Sequence, residues 1–505
     1  MKVLIINGHP RNNSFSDAIT AAYYSGAAAA RVQLATLVLR DLDFSPNVTS
    51  FSPNQQFIEP DIRSAQQTLL WADHVVFVYP TWWGTMPALL KGFIDRVFTA
   101  GLAFNEIEGG TGYEPLLRGK TAQLITTMDT PNLIYQLLYR APGHNAMGKA
   151  LLEFCGFEMT TTISLAPVRS SSELQRKKWL DRVKARGSSL KYGPLNWKKK
   201  LSIRIITWLK ALRLQFYPMT AVAYAAGAWS ANHFGHTFNA TVFWTGYAWL
   251  FFLEAATVLI NESADYNSDK KNKYFGPFTG GSRMIVEGLL NFKSVRKGIF
   301  LCLTTATICL GMVLYIANGN LKEMLLTCFA LTVLALGYTA RPLKLAYQTL
   351  GEITVAITHS FAVIVCGYLF MGGSINDPYP WVLGLPLFFS VLPSITLAGI
   401  PDYQADLSAG KRTIAVRFGK KGAAYAAIIF TTLSVLTLIV FTIADLFPIA
   451  FKNLLYFALP HAAWLILKLA SYIKSPEPPK RIDTIMIAAL TYLIWYAVVP
   501  LINLT

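Results

Sequence analysis

Two patterns of hydrophobic positions divide the chain. Up to about residue 185, short apolar runs alternate with helical stretches. Lys2–Asn7, His74–Tyr79 and Lys120–Thr127 have the pattern of buried strands, and each is followed by a loop and a helical segment. This alternation predicts a parallel sheet covered by helices on both faces. We therefore predict an α/β domain with a doubly wound parallel sheet over residues 1–185.

From about residue 214 the apolar runs become long enough to cross a bilayer, which takes about 20 predominantly apolar residues in an α-helix. We predict that residues 214–505 form an all-α membrane domain of nine transmembrane helices. The predicted spans are 215–232, 239–260, 298–317, 321–340, 352–373, 381–400, 423–444, 449–473 and 484–503.

The segment between these two parts, residues 186–213, is basic and interrupted by Gly and Pro. We predict a linker followed by an interfacial helix that lies on an anionic bilayer surface. The alternative, a charged connector that is merely solvated, stays open at this point.

Basic residues in the predicted loops lie on one side of the membrane. The loops after spans two, four, six and eight contain 17 Lys and Arg, whereas the loops after spans one, three, five and seven contain none. Cytoplasmic loops of membrane proteins carry an excess of these residues. We therefore expect the even-numbered loops and the amino-terminal domain to be cytoplasmic in a multi-pass membrane protein.

Composition supports this division. Only 14% of the 505 residues are charged and 53% are hydrophobic, which excludes one uniformly soluble domain and excludes a disordered chain. Residues 191–505 hold 27 Lys and Arg against 13 Asp and Glu, whereas residues 1–190 are nearly neutral. Basic residues on an apolar chain indicate a lipid bilayer or an anionic substrate as the binding partner, and we expect no nucleic acid partner. The five cysteines show neither paired nor CxxC spacing, which favours free thiols in a reducing compartment over disulfides or a zinc site.

Acidic side chains recur at helical spacing after the second predicted span. Asn261, Asp265 and Asp269 are four residues apart, with Glu262 beside the first. These positions share one face of a helix, where like charges repel unless a cation is bound. Such a row at the end of a membrane helix is unfavourable without a cation, and a solvated helix end or cytoplasmic loop is the alternative for either acidic motif alone.

A second acidic pair has the same spacing. Asp402 and Asp406 follow the sixth predicted span, so both acidic motifs fall on the same membrane side whichever orientation holds. Two facing groups of hard oxygen ligands suit Mg²⁺ that is also held by phosphate oxygens. Basic residues that suit a phosphate lie near each motif: Lys270, Lys273 and Arg283, and Lys411 and Arg412.

Four segments carry a resemblance to a known family, in this order: NESADYNSD, FTGGSRMIVEGLL, YTARPLKLAYQTLGEI and PDYQADLSAGKRTIAVRFG. Over about residues 200–505, the chain resembles the UbiA superfamily of intramembrane aromatic prenyltransferases. The similarity is greatest to the branch that acts on dihydroxynaphthoate, which implies menaquinone biosynthesis. Glu262 departs from the usual Asp of the first motif but keeps its charge. The resemblance implies a Mg²⁺ site formed by Asn261, Glu262, Asp265, Asp269, Asp402 and Asp406. It implies contacts to prenyl diphosphate or acceptor by Lys270, Arg283, Tyr338, Arg341, Lys344, Lys411 and Arg412.

Elementary chemistry supports those implied roles. Ionising an allylic diphosphate requires stabilising the departing pyrophosphate, which metal ions and Lys or Arg side chains do where negative charge develops. An electron-rich aromatic ring then attacks the resulting carbocation. An intramembrane cavity holds the apolar tail, and it excludes water that would otherwise capture the cation.

Three polar patches in the amino-terminal part are candidates for cofactor binding. NGHPRNNSFSDAI joins the first strand to a helix, YPTWWG follows the second strand, and LITTMDTP ends the third. Open parallel sheets bind ligands at the carboxyl ends of their strands, and a helix amino terminus suits phosphate. A helix cap and core packing are the alternative explanations. A GxGxxG motif is absent, and GGTG at 109–112 follows no strand.

Together with PALLKGFIDRVF, these patches resemble the NAD(P)H:quinone oxidoreductase family, which has a flavodoxin-like fold, over about residues 1–180. The resemblance implies a flavin, either FMN or FAD, reduced by NAD(P)H, and it leaves a homodimer through this domain open. It assigns His9, Asn13, Ser14, Phe15 and Ser16 to the flavin phosphate. It assigns Pro80, Thr81, Trp82, Trp83, Gly84, Thr126, Thr127 and Asp129 to the flavin ring.

The sequence therefore predicts a bifunctional membrane enzyme. A flavin-dependent reductase would reduce an aromatic or quinone acceptor, and a Mg²⁺-dependent transferase would attach the prenyl group of a prenyl diphosphate to it. Reduction makes a quinone ring electron-rich, which attack on a carbocation requires. Two alternatives are a reductase with a non-catalytic, lipid-binding membrane anchor, and a transferase whose reductase part has lost flavin.

Overall fold

The computed structural model describes residues 1–106, 112–276 and 278–505. Residues 109–111 of the GGTG segment therefore lie outside the described residues. The chain forms two compact units, residues 1–204 and residues 205–505.

The first unit is built on a parallel sheet. Its described strands are β1 (Lys2–Asn7), β2 (Gln33–Val38), β3 (His74–Pro80), β4 (Phe104–Glu106), β5 (Tyr113–Pro115), β6 (Thr121–Thr127), β7 (Glu158–Met159) and β8 (Ile163–Leu165). The parallel strands are arranged in the order β2-β1-β3-β6-β7, with β8 also paired to β6. Strands β4 and β5 form a separate antiparallel pair.

The predicted central strands are confirmed because they are buried on both faces. Every residue of β3 and of β6 is buried. Asn7 at the end of β1 is in register with Val78, and Val78 is in register with Ile125. The carboxyl ends of these three strands therefore meet at one edge of the sheet, where the loops after them come together.

Helices cover this sheet. They are α1 (Phe15–Ala29), α2 (Pro60–Trp71), α3 (Ala88–Val97), α4 (Asn132–Leu137), α5 (Pro142–Asn145) and α6 (Glu173–Ser188), with a π-helical segment at Ala146–Glu153 and short 3-10 turns at Leu39–Asp41, Pro53–Gln55 and Ser189–Tyr192. The α/β prediction for this part of the chain is confirmed.

The rest of the chain consists of helices joined by loops and short turns, and no strand occurs among its described residues. The helices are α7 (Trp197–Leu212), α8 (Tyr217–His233), α9 (Ala240–Ala264), α10 (Tyr266–Lys271), α11 (Phe292–Ile316), α12 (Leu321–Gly337), α13 (Gly351–Ile357), α14 (Val363–Phe370), α15 (Tyr379–Ser408), α16 (Ile414–Ile443), α17 (Pro448–Phe451), α18 (Leu454–Lys474) and α19 (Asp483–Leu504). A π-turn at Thr358–Ala362 joins α13 to α14, and short 3-10 turns lie at Leu214–Phe216 and Leu345–Tyr347.

Seven helical segments in the described residues are long and apolar enough to cross a membrane: α9, α11, α13–α14 as one continuous segment, α15, α16, α18 and α19. The other two predicted spans, 215–232 and 321–340, correspond to α8 and α12, which have 17 residues each. With 17 residues, these two helices lie at the lower end of the length that a bilayer core requires. The predicted count of nine is therefore approximate.

Candidate active sites

A cavity of about 570 Å³ lies within the helical unit, and five of the six predicted metal-binding residues line it. The walls come from α8, α9, α12, the α13–α14 segment, α15 and α19, and most of them are apolar. The residues of the two acidic motifs that line it are Asn261, Asp265, Asp269, Asp402 and Asp406.

The first acidic motif spans a break between two helices. Helix α9 ends at Ala264 and α10 begins at Tyr266, so Asp265 lies between them. The backbone N–H of Asp265 still donates to Asn261 (2.8 Å), and that of Asp269 donates to Asp265 (2.8 Å). The helical spacing is thus kept across the break, and these three side chains reach the same cavity, as their spacing predicts.

One ammonium group connects the two acidic motifs. Lys411 Nζ lies 2.8 Å from Asp265 Oδ2 and 3.4 Å from Asp406 Oδ1. The backbone N–H of Lys411 also donates to the carbonyl of Asp406 (3.0 Å), because the chain turns back directly after α15. Asn272, which the sequence reasoning missed, adds a second link through Nδ2, which donates to Asp402 Oδ1 (2.7 Å).

The loop after α10 packs against the first motif. Ser282 donates from its backbone N–H (2.9 Å) and its hydroxyl (2.6 Å) to the carboxylate of Glu262. Gly281 has φ of +73°, and a Cβ there would lie 2.2 Å from Asp269 Oδ2, so only glycine fits. Glu262 is therefore bonded to this loop and does not line the cavity, and its role as a metal ligand stays a prediction.

The predicted diphosphate-binding residues separate into two groups. Lys411 and Tyr338 line the cavity. The guanidinium of Arg283 instead donates to the carbonyl of Asp269 (2.8 Å) and stacks 3.9 Å from the ring centroid of Phe275. Lys344 lies 4.9 Å from the ring centroid of Tyr347 and does not line the cavity. Three others are exposed and also lie off the cavity: Lys270, Arg341 and Arg412.

Electrostatics at this site favour a bound cation. Burial, and then the charges of Asp265 and Glu262, raise the pKa of Asp269 to about 8. Burial alone would lower the pKa of Lys411, but Asp265 and Asp406 raise it above its ordinary value. The carboxylates thus repel one another, and the ammonium offsets only part of that repulsion.

The donor set fits Mg²⁺ that is shared with a substrate. Asn261 Oδ1 and Asp265 Oδ1 are buried and have no hydrogen-bond partner among the described residues. No three His, Cys, Asp or Glu residues of the described chain converge into a ready-made metal site. Mg²⁺ usually takes one or two protein carboxylates and completes its shell with waters and substrate phosphates. Unpaired hard oxygens without a closed cage match that preference.

Replacing Lys411 by Met should make the stability of the helical unit depend on Mg²⁺. Removing one partner of a buried ion pair typically costs about 3–5 kcal/mol, because the remaining carboxylates have no counter-charge. We expect a lower melting temperature in chelator, and a larger increase on adding Mg²⁺ than in the wild type. Thermal unfolding of the full chain in detergent measures both. Exposed Lys421 gives the control, Lys421→Met. Equal Mg²⁺ effects in all three proteins would contradict the prediction.

The first unit contains a second cavity, of about 410 Å³, at the carboxyl ends of the strands. It lies beside the start of α1 and the loops after β3 and β6. Ten of the thirteen predicted flavin-binding residues line it: His9, Asn13, Ser14, Phe15, Ser16, Pro80, Thr81, Trp82, Thr127 and Asp129. Arg11 and Arg169, which the sequence reasoning missed, line it as well.

Three predicted flavin residues lie off this cavity. Trp83 is fully exposed, and its φ of +51° places it in the left-handed region within a tight turn. The carbonyl of Gly84 accepts hydrogen bonds from Gly143 N (2.9 Å) and from the hydroxyl of Tyr135 (2.9 Å). Thr126 Oγ1 lies 3.0 Å from His144 Nε2. Their assignment to the flavin ring stays a prediction.

The residues of the second cavity fit a flavin phosphate. Ser16 Oγ and Thr81 Oγ1 are buried and have no hydrogen-bond partner in the described part of the chain. Ser16 is in the first turn of α1, where free backbone N–H groups favour anions. Ser14 has a different task, because it caps α1 by accepting from Asp17 N and donating to the Asp17 carboxylate. Burial, followed by the charge of Arg11, lowers the pKa of His9.

The chain thus has the features of a two-domain membrane protein. One unit is α/β with a cavity at its strand ends, and the other is helical with an apolar cavity that carries paired acidic motifs. Residues 217–496 match the model of the UbiA prenyltransferase family, and the chain belongs to that family. Residues 1–187 match the model described as flavodoxin-like fold. The families that the sequence resemblances named are confirmed.

The curated relatives of the first unit are named as oxidoreductases or dehydrogenases. The chain is 31% identical over 110 residues to "Uncharacterized NAD(P)H oxidoreductase YcaK" of Escherichia coli, which covers 21% of this chain and 56% of the relative. It is 36% identical over 130 residues to human "Ribosyldihydronicotinamide dehydrogenase [quinone]", covering 24% and 53%. The chain thus spans little more than half the length of these relatives. Among solved structures, Smu.1420 from Streptococcus mutans is 29% identical, with a TM-score of 0.34 over 37% of this chain and 100% of that one.

Proposed function

We propose that the helical unit transfers a prenyl group from a prenyl diphosphate to a hydroquinone-like aromatic acceptor with the aid of Mg²⁺. One observation carries this proposal: two acidic motifs, joined by Lys411, line a mostly apolar cavity in a chain of the UbiA family. The cavity offers an anionic, metal-compatible end for diphosphate, and apolar walls for a prenyl chain.

Each part of this cavity has a task in the proposed reaction. Asn261, Asp265, Asp269, Asp402 and Asp406 would hold Mg²⁺ together with the diphosphate. When bound there, Mg²⁺ would supply positive charge to offset the negative charge of the pyrophosphate. Lys411 and Tyr338 place an ammonium and a hydroxyl beside the same end of the cavity, where they stabilise the leaving group. The apolar walls exclude water from the carbocation.

We propose that the first unit binds a flavin and reduces the quinone form of the acceptor with NAD(P)H. Ser16, Thr81 and the first turn of α1 would hold the flavin phosphate, with Trp82 and Thr127 near the ring. The flavin supplies two-electron transfer from NAD(P)H to a quinone. We also propose that this domain ends near residue 185, that the membrane domain begins near residue 214, and that the acidic motifs face the cytoplasm with the first unit.

Product analysis tests the proposed function. Purified full-length protein would receive a hydroquinone, geranylgeranyl diphosphate and Mg²⁺, and mass spectrometry would search for the prenylated ring. We expect a Mg²⁺-dependent product whose mass is the sum of both substrates minus pyrophosphate. The alternative of a reductase with a non-catalytic anchor predicts NAD(P)H-dependent quinone reduction without such a product for any prenyl diphosphate tested.

A further inference from the structure

A carboxylate and an imidazole face each other in the cavity, away from the acidic motifs. Glu254 Oε1 lies 3.9 Å from His359 Nε2, and both residues line the cavity. Glu254 precedes Asn261 on α9 by seven residues, which places it about 10 Å further along the helix. Ionisable residues within membrane-spanning helices are costly and usually functional.

Hydrogen bonds fix the orientation of the imidazole. His359 Nδ1 lies 3.0 Å from the carbonyl oxygen of Val355. A carbonyl can only accept, so Nδ1 carries the proton, and in the neutral ring Nε2 presents a lone pair. His359 also lies in the π-turn between α13 and α14, and π-turns within membrane or soluble helices often occur at functional sites.

With a neutral imidazole, the pair lacks a hydrogen-bond donor. Glu254 Oε2 is buried and has no hydrogen-bond partner among the described residues. A carboxylate oxygen and an unprotonated ring nitrogen are both acceptors, and 3.9 Å is too long for a direct hydrogen bond. A buried acceptor without a donor is unfavourable, so the site is completed by a ligand that brings a hydroxyl group or a proton.

We propose that Glu254 and His359 bind a hydroxyl group of the aromatic acceptor and take up the proton that the ring loses on prenylation. This inference rests on the proposed function. The acceptor's ring carbon forms a bond to C1 of the prenyl group, the C1–O bond breaks, and pyrophosphate leaves with the electron pair. The proton displaced from the ring carbon passes to His359 Nε2, and the Glu254 carboxylate balances the positive charge formed there.

The position of the pair agrees with this role. The diphosphate end of the substrate is fixed at the acidic motifs, so C1 and the attacking ring lie a few ångströms further into the cavity. Cavity-lining neighbours of the pair are mostly apolar, including Leu253, Val258 and Val355. Among such neighbours, a phenolic ring is oriented by hydrogen bonds to its hydroxyl group, which the Glu254 carboxylate and His359 Nε2 can accept.

The test compares Glu254→Gln and His359→Gln with the wild type in full-length protein. General acid–base groups contribute typically 10²–10⁴-fold, so we expect kcat/KM for the hydroquinone to fall by about 100-fold or more. We expect KM for the prenyl diphosphate to stay unchanged, because the acidic motifs are intact. The matched control is Glu323→Gln, because the Glu323 carboxylate accepts a hydrogen bond from Ile375 N (2.7 Å) and does not line the cavity.

Direct binding separates this inference from the proposed function. Binding of 1,4-naphthohydroquinone is measured by quenching of tryptophan fluorescence, which needs no turnover. Any binding to the reductase unit is the same in all variants and does not affect the comparison between them. We expect at least tenfold weaker binding in Glu254→Gln than in Glu323→Gln. Hydroquinone binding and KM within twofold of the wild type in Glu254→Gln and His359→Gln would overturn the inference. A wild type that binds the hydroquinone through Glu254 but forms no prenylated product would overturn the proposed function only.

Discussion

Replacing Asp265 by Asn is expected to lower the rate of prenyl transfer by about 10²–10³-fold, the effect typical of removing one group that stabilises developing charge in an active site. Asp265 is central because it contributes to three features at once. It accepts from Lys411 (2.8 Å), it has a second oxygen without a partner in the described chain, and it stands at the break between α9 and α10. Asparagine keeps the shape and removes the charge.

The measurement is prenylated product formed per minute by full-length protein at saturating Mg²⁺, together with quinone-dependent NAD(P)H oxidation by the same sample. NAD(P)H oxidation should not change. Asp377→Asn is the matched control, because Asp377 accepts from Tyr368 (3.0 Å) and Ser374 N (3.0 Å) and does not line the cavity. Transfer within threefold of the wild type in Asp265→Asn would contradict a catalytic role for the acidic motifs.

Periodicity predicted most of the fold because it reflects burial directly. Strand β3 is buried at every position, and its continuous apolar run predicts a buried strand directly. Strand β6 is also buried at every position, although Gln123 and its threonines are polar. The count of spans was less certain because α8 and α12 are apolar but only 17 residues long. A hydropathy pattern does not distinguish a short helix packed among others from one that crosses the whole bilayer.

Spacing predicted which acidic side chains share the cavity, but not how they are held. Asn261, Asp265 and Asp269 follow from a four-residue repeat. Asn272 and Ser282 depend on the path of a loop, and no periodic pattern marks them. The charge of Arg283 near the motif predicts a contact with phosphate, yet its guanidinium stacks on Phe275, because the sequence does not show in which direction a charged side chain points.

Of the pair Glu254 and His359, the sequence marks one member and not its contact with the other. A charged residue in the middle of an apolar span is visible in the sequence, and its cost within a bilayer marks it for function. Its partner is 105 positions away along the chain, and only the packing of α9 against the α13–α14 segment and its π-turn brings the two together.

Replacing Ser16 by Asp should remove flavin from the protein and, with it, prenylation of an oxidised acceptor. Ser16 is 1% exposed, lines the cavity of the first unit, and has a hydroxyl without a partner among the described residues. A carboxylate there repels a phosphate. It is compatible with the first turn of α1, where acidic side chains are favourable, so the helix itself should form. We expect flavin bound per chain to fall at least tenfold, which corresponds to about 1.4 kcal/mol.

Ser25→Asp is the matched control, because Ser25 is exposed on the same helix and the same charge is added. Two quantities are measured. The first is the flavin absorbance of the purified protein. The second is the amount of prenylated product, formed either from quinone plus NAD(P)H or from pre-reduced hydroquinone. If the reductase supplies the transferase, Ser16→Asp loses product from the quinone and keeps product from the hydroquinone, since an electron-poor ring does not attack the carbocation. Equal loss with both acceptors would place the damage in the transferase. Undiminished product from the quinone in flavin-free protein would show that the two activities are independent despite their fusion in one chain.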